Sequence, residues 1–318
     1  MTNKTITQIT NMKAQTIGCE VEMNKITRCR AAELAAEFFG TGRWENTNYR
    51  NGYQTWSAWD AQGREWQFKK DVSITGPDDE KCELVSPILV YGDIELLQGL
   101  IRVLRKAGAK SCASRGCGVH IHIGLKGLDG RNHNAHTLRN LVNIMAAHEL
   151  QIGRAISIAQ DRLNGYTKAV DPRFLRALNA KKPQTMEQLA DIWYISQGYD
   201  HGRRDHYNPS RYHCLNLHAS FTKGTVEFRE FQFDEETDGK KGGLHAGQLK
   251  AYIQLCLAMS NQAKDVKYAS PKAPQKENDK FAMRTWMNRM GCMGDEFKTA
   301  RELLLKKLDG NCAWRFAS

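Results

Sequence analysis

The chain has 318 residues and a mass of 36.1 kDa, with 41% hydrophobic and 25% charged residues, the profile of a globular protein of one large domain or two modest ones. Lys and Arg number 46 against 35 Asp and Glu, a formal charge of +11 and a pI near 9.2, so an anionic partner is expected: nucleotide, nucleic acid or acidic peptide. Three classes are excluded: a membrane-spanning helix, because no window approaches about 18 consecutive apolar residues; a secretion signal, because MTNKTITQITNMKAQ is polar; and a mainly disordered chain, because there are only 7 prolines and no long low-complexity tract.

Residues 15–23, QTIGCEVEM, alternate as a strand does, and 28–39, RCRAAELAAEFF, read as a helix closed by Gly40. YQTWSAW and EWQFKKDVSI flank Asp60-Ala61-Gln62-Gly63 and predict a hairpin within Tyr53 to Ile74. KCELVSPIL predicts a strand broken at Pro87. Asp93 is placed to cap the periodic helix IELLQGLIRVLRKAG, which stops at Gly108. CGVHIHIGL, 117–125, is a further short strand. The middle third is helical, with a long amphipathic pattern over 136–160 and shorter pieces over 171–198, one opened by the capping box Thr185-x-x-Gln188. Strands return in RYHCLNLHASF and GTVEFREFQF, 211–233. A helix over 243–262, a basic Pro/Lys-rich connector near 264–277 and two C-terminal helices follow. The order of strands, helical insertion, strands and helical tail predicts an α+β fold with a mostly antiparallel sheet.

The nine cysteines are Cys19, Cys29, Cys82, Cys112, Cys117, Cys214, Cys256, Cys292 and Cys312. Their number is odd and no C-x-x-C pair occurs, so neither a disulfide framework nor a structural zinc site is indicated. Thiols in a reducing compartment are expected, which points to the cytoplasm.

The chemistry concentrates in strand-like segments that carry ionisable residues at i and i+2, a spacing that puts both on one face of a strand. Gly18-Cys19-Glu20-Val21-Glu22 sends two carboxylates to one side, with Cys19 and Val21 on the other, and His120-Ile121-His122 does the same with two imidazoles. Val226-Glu227-Phe228-Arg229 aligns Glu227 with Arg229, Lys70-Asp71-Val72-Ser73 aligns Asp71 with Ser73, and Glu83 stands inside an otherwise apolar strand. A Glu pair alone is usually a solvated face, an H-x-H alone usually structural, and an E-x-R pair commonly a surface ion pair. Their repetition over several strands predicts one polar face open to a cleft and one apolar face under helices. Clustered carboxylates with one imidazole suit Mg²⁺ or Mn²⁺ better than zinc, and Arg211 and Arg229 would add phosphate contacts. Cys19, on the opposite side of its strand from the two carboxylates, reads as a packed thiol and not a nucleophile.

These segments resemble the amidoligase family, a branch of the carboxylate–amine ligases that includes glutamine synthetase and glutamate–cysteine ligase. The resemblance rests on the ordered set GCEVE, DVSI, CELVSPIL, GVHIHIG, RYHCLNLHAS and TVEFREF, spanning roughly residues 16–233. It implies an antiparallel sheet like that of the glutamine synthetase catalytic domain, curved around the site, with helices on its outer face. The implied reaction is ATP-dependent amide formation through an acyl phosphate. Glu20, Glu22, Glu83, His120 and Glu227 would be ligands of Mg²⁺ or Mn²⁺. His122, Asp71 and Ser73 would lie at the nucleotide, Arg211 would meet its phosphates, and Arg229, Arg211 and Glu83 would act at the reacting groups. Amino acids or peptide and protein ends are the implied carboxylate and amine substrates.

The expected organisation is a catalytic domain over 14–233 with a helical insertion at about 133–205, and a helical extension over 234–318 packed on the same domain. Other readings remain open on the residues alone. A metal-dependent phosphoesterase or nuclease would use the same groups with water as attacking group. A basic nucleic-acid-binding protein would stack bases on Trp44, Tyr49, Tyr53, Trp56, Trp59 and Trp66, although such aromatics more commonly fill a core edge or line a substrate channel. A cupin-type site lacks the glutamate expected after His122, where LKGLDG follows. The polar loop 199–211 reads equally as a lid or as a solvated connection.

Overall fold

A computed structural model describes residues 2–237, 242–274 and 277–313 of the chain. The strands are β1 (Gln15–Met23), β2 (Trp44–Asn46), β3 (Trp56–Trp59), β4 (Glu65–Lys69), β5 (Cys82–Val85), β6 (Val119–Gly127), β7 (Leu215–Asn216) and β8 (Thr225–Phe231). The helices are α1 (Asn3–Lys13), α2 (Arg28–Phe39), α3 (Ile94–Lys106), α4 (Ala135–Ile156), α5 (Gln160–Asn164), α6 (Pro172–Lys181), α7 (Met186–Gln197), α8 (His218–Thr222), α9 (Ala246–Asp265), α10 (Asp279–Arg289) and α11 (Lys298–Leu305). This is the expected α+β class, with antiparallel pairing in β2–β3, β3–β4, β4–β5, β5–β1 and β7–β8. Of the described residues, those within 17–121 and 231–250 form one compact unit, here the sheet unit, and those within 1–16, 122–230 and 251–318 form the other, the helical unit.

In the sheet unit the strands run in the order β2-β3-β4-β5-β1-β6. Register explains its two faces. Trp56, Phe68, Leu84 and Val21 are cross-strand partners in one row, and the next row brings Lys69, Glu83 and Glu22 together. Successive side chains alternate, so the first row turns to the core and the second away from it. Phe68, Leu84 and Val21 are fully buried, and burying each such side chain contributes about 1.5–3 kcal/mol. Helix α2 packs on β2, β3 and β4, and α3 packs on α2. Ala31, Ala32, Ala35 and Ala36 form the buried face of α2, and their small side chains let it lie close to the sheet. Gly40 ends the helix at φ 72, as its sequence predicts. Asp60 anchors the β3–β4 turn by accepting from Trp66 Nε1 at 3.0 Å and Arg64 Nε at 2.8 Å. Trp59 and Trp66 are core residues, whereas Tyr49 and Tyr53 are exposed.

The helical unit carries the strand order β6-β8-β7 and packs α4 against α6, α7 and α11. Leu138, Leu141 and Met145 of α4, Phe174 and Leu178 of α6 and Leu189 of α7 are fully buried. The capping box opening α7 is present, with Gln188 N donating to Thr185 Oγ1 at 3.2 Å.

Three local expectations need correction, and one helix was not expected. Strand β4 stops at Lys69, and Lys70 to Ser73 is coil and turn. RYHCLNLHASF is not one strand: Pro209–Arg211 is a 3₁₀ turn, β7 has two residues, and α8 begins at His218. Asp93 precedes α3 without capping it, because its carboxylate is taken by Arg64 and by Val90 N at 2.9 Å. Helix α1 is missing from the sequence reading; its residues are polar, and the Thr2 side chain caps it by accepting from Thr5 N. Residues 275 and 276 of the basic connector, and the end of the chain beyond 313, lie outside the described residues. No described helix is long and apolar enough to cross a membrane, and no cysteine among the described residues is in a disulfide.

Candidate active site

In the sheet unit, four of the expected carboxylates and one imidazole converge on the polar face. Strand β1 supplies Glu20 and Glu22, and β5 supplies Glu83, paired directly across from Glu22. The opening residues of β6 supply His120. Its Nδ1 is 3.0 Å from Glu20 Oε2 and its Nε2 is 3.8 Å from Glu22 Oε1. Glu22 is also fixed by the backbone, accepting from Gly118 N at 2.6 Å. Asp71 arrives from the turn after β4. Its Oδ1 accepts from Ser73 N at 2.7 Å and from Ser73 Oγ at 2.6 Å, so the two residues meet through a turn and not through strand alternation. Gly116, at φ +68, lets that turn approach closely: a Cβ there would lie 2.4 Å from the Ser73 carbonyl oxygen.

Within the sheet unit, ligand atoms lie within 4.8 Å of one another in two sets, Glu20 with Glu83 and His120, and Glu22 with Asp71 and Glu83. Glu83 belongs to both. Burial, then the charges of Glu20, Glu22 and Asp71, push its carboxyl well above the usual range. Carboxylates gathered this tightly repel one another unless a cation lies between them. A donor set of carboxylate oxygens and one imidazole fits a hard divalent ion. Cys19 faces the core at 1% exposure, and burial raises its thiol far above the range of a nucleophile.

In the helical unit the remaining expected residues gather around β8. Glu227, 1% exposed, pairs with the Arg229 guanidinium and accepts from Asn216 Nδ2 at 2.7 Å, its cross-strand partner on β7. His122 Nδ1 is 2.9 Å from Thr225 Oγ1, and its Nε2 is 3.9 Å from Glu227 Oε1. The Arg229 guanidinium lies 5.9 Å from the Tyr212 ring centre, and its carbonyl accepts from Arg162 Nη2 at 2.9 Å. Arg211, on the loop before β7, lies over the same Tyr212 ring, also at 5.9 Å. Its Nη1 donates to the His206 carbonyl at 3.0 Å, and it lines a cavity of about 230 Å³ together with Glu227.

Sequence reasoning missed Asn216 and Thr225, which orient Glu227 and His122. Asn216 lies in the same motif as Arg211, but a lone Asn in an irregular segment carries no periodic signal. The missing cue was the two-residue pairing that sets it opposite Glu227.

No curated protein sequence matches the chain. Among solved structures it is similar to a bifunctional glutathione synthetase from Pasteurella multocida, with TM-score 0.46 and 11% identity over 96% of this chain and 49% of that chain. The chain thus spans about half the length of that protein. Residues 13–260 match the model of a family described as "Putative amidoligase enzyme", and the chain belongs to that family.

Proposed function

We propose that the chain is an ATP-dependent carboxylate–amine ligase. The observation that carries this reading is the convergence of Glu20, Glu22, Glu83, Asp71 and His120 on one sheet face, with Glu83 held against its own ionisation. Family membership supports amide-bond formation as the reaction class.

Glu20, Glu22, Glu83 and His120 would hold Mg²⁺ or Mn²⁺, with Glu227 as a further ligand. The bound cation would neutralise charge on the nucleotide phosphates. A substrate carboxylate oxygen attacks the γ-phosphorus of ATP, and ADP leaves with the electron pair of the broken P–O bond. The amine nitrogen then attacks the acyl carbon of the resulting acyl phosphate, inorganic phosphate leaves, and the nitrogen loses its proton to solvent. No protein nucleophile is needed, which agrees with a site of carboxylates, imidazoles and arginines. Arg229, pre-set by Glu227, is aimed at the transferring phosphoryl or the acyl group, and Arg211 at the nucleotide phosphates. Asp71, Ser73 and His122 would meet the nucleotide; Ser73 donates to Asp71, and Thr225 fixes the ring of His122. The reading includes a glutamine synthetase-like curvature of the sheet, a catalytic region over 14–233 interrupted at about 133–205, and a C-terminal extension over 234–318. It sets the enzyme in the cytoplasm, with amino acids or peptides as substrates.

The test is ADP release from Mg²⁺-ATP against a panel of amino acids and peptides, with Glu83→Ala as control. Acceptor-dependent ADP release that falls on the order of 10²-fold in Glu83→Ala is expected. Metal-dependent phosphodiester cleavage without ATP would overturn the reading.

A further inference from the structure

The 230 Å³ cavity of the helical unit is lined by more basic residues than the family motifs account for. Arg204, His206 and Arg211 come from the loop before β7, Lys223 from the end of α8, and Asn216 and Glu227 are also in the lining. Glu227 is the one carboxylate there, and Arg229 and Asn216 already engage it. Arg204 and Arg211 have no carboxylate in ion-pair range among the described residues. Arg211 is held instead by the His206 carbonyl and by the rings of Tyr207 and Tyr212, at 5.6 and 5.9 Å.

The loop that presents these groups is built rather than loose. Asn208 Nδ2 donates to the carbonyls of Tyr199, His201 and Gly202 at 3.0–3.3 Å. His218, buried at the start of α8, fixes the next stretch. Its Nε2 donates to the Asp205 carbonyl at 3.0 Å, which leaves Nδ1 to accept from Tyr194 Oη at 2.6 Å. Burial favours the neutral ring that this pairing requires. Two arginines without carboxylate partners, carried on an anchored loop around a small cavity, are the arrangement an oxyanion completes.

We propose that this cavity is an oxyanion subsite in which Arg204, Arg211 and Lys223 receive a carboxylate or phosphate group of a substrate. The proposal rests on the ligase reading for its setting, since both an acid substrate and a nucleoside triphosphate carry such groups. The added recognition comes from Arg204 and Lys223.

Both of these side chains are exposed, so Arg204→Gln and Lys223→Gln leave folding intact. Titration calorimetry of the full chain with tripolyphosphate and with glutarate, at low salt, reads the subsite without turnover. At least one anion should bind, and each substitution should weaken it about tenfold, while Arg173→Gln, whose charge is paired with Asp171 elsewhere on the surface, changes nothing. Binding of tripolyphosphate alone assigns the subsite to the nucleotide, and of glutarate alone to the acid substrate. Absence of binding by both anions, or binding that survives both substitutions, overturns the proposal. Site-dependent anion binding without ADP release under any acceptor upholds the subsite and removes the ligase reading. ADP release with unchanged anion binding and kcat/KM in both variants does the reverse.

Discussion

Glu83→Gln is the most direct probe of the carboxylate cluster, because the substitution keeps the shape of the side chain and removes the group whose ionisation its neighbours oppose. The ligand atoms of Glu83, Glu22 and Asp71 lie within 4.8 Å of one another. At that separation and an effective dielectric of about 20, ionising Glu83 beside one charged neighbour costs up to about 3.5 kcal/mol. At a half-buried site, solvent and salt reduce this to about 1–2 kcal/mol. In EDTA the Gln variant should therefore melt about 1.5–3 °C above the native chain. Divalent metal reverses the order. At a Mg²⁺ concentration of about 100 times Kd the native chain gains about 2.7 kcal/mol, or about 4 °C. If the variant binds about a hundredfold more weakly, its gain at the same concentration is about 0.4 kcal/mol, near 1 °C. Scanning calorimetry in EDTA, followed by a Mg²⁺ titration, measures both effects. A variant that melts below the native chain in EDTA, or one with the same Mg²⁺-dependent rise, would refute the view that Glu83 is held in a repulsive cluster completed by a cation.

Glu230, 2% exposed, has an Oε1 without a hydrogen-bond partner among the described residues, and burial with the nearby Glu149 charge holds its carboxyl well above the ordinary range. Such an acid is protonated in the folded chain where the unfolded chain is already ionised, so stability declines as pH rises from the usual glutamate range to the raised value. Glu230→Gln should remove this contribution, which for a single carboxyl is a decline of about 1.4 kcal/mol per pH unit across that interval; urea midpoints measured between pH 4.5 and 8 that keep the native slope would contradict it. Asn216→Ala leaves Glu227 without its cross-strand donor and should cost about 1–3 kcal/mol, with slower ADP release at unchanged circular dichroism; full activity would show that Glu227 needs no such support. Cys19 should resist iodoacetamide in the folded chain and react after unfolding, and peptide mapping that finds early native labelling would place it outside the core.

The strand-borne part of the site was legible because two-residue periodicity is a local property. Glu20 and Glu22, His120 and His122, and Glu227 and Arg229 each share a face by chain geometry alone, and the register then decides only which rows meet. Asp71 and Ser73 were paired correctly for the wrong reason. The chain turns after Lys69, and an Asp side chain accepting from the backbone two residues on does what strand alternation was expected to do. Asp93 shows the opposite case. Its position before a periodic helix is a good capping signal, but Arg64 lies 29 residues upstream and takes the carboxylate. The arrangement of Asn208 and His218 was illegible for the same reason: what they bind is backbone carbonyls of an irregular loop, and no sequence pattern announces which carbonyl will be near.

Strands can fix carboxylates at short range because the sheet allows them little freedom to separate, and this rigidity is what makes the cluster costly without a cation and selective with one. The proposed oxyanion subsite of the helical unit has the opposite need, and its cations lie on segments that strands do not dictate, with Arg211 and Arg204 on an anchored loop and Lys223 just after a short helix. The division is physical: repulsive groups need the stiffest scaffold, whereas the cations that attract an anion tolerate a looser one, because the ligand itself draws them together.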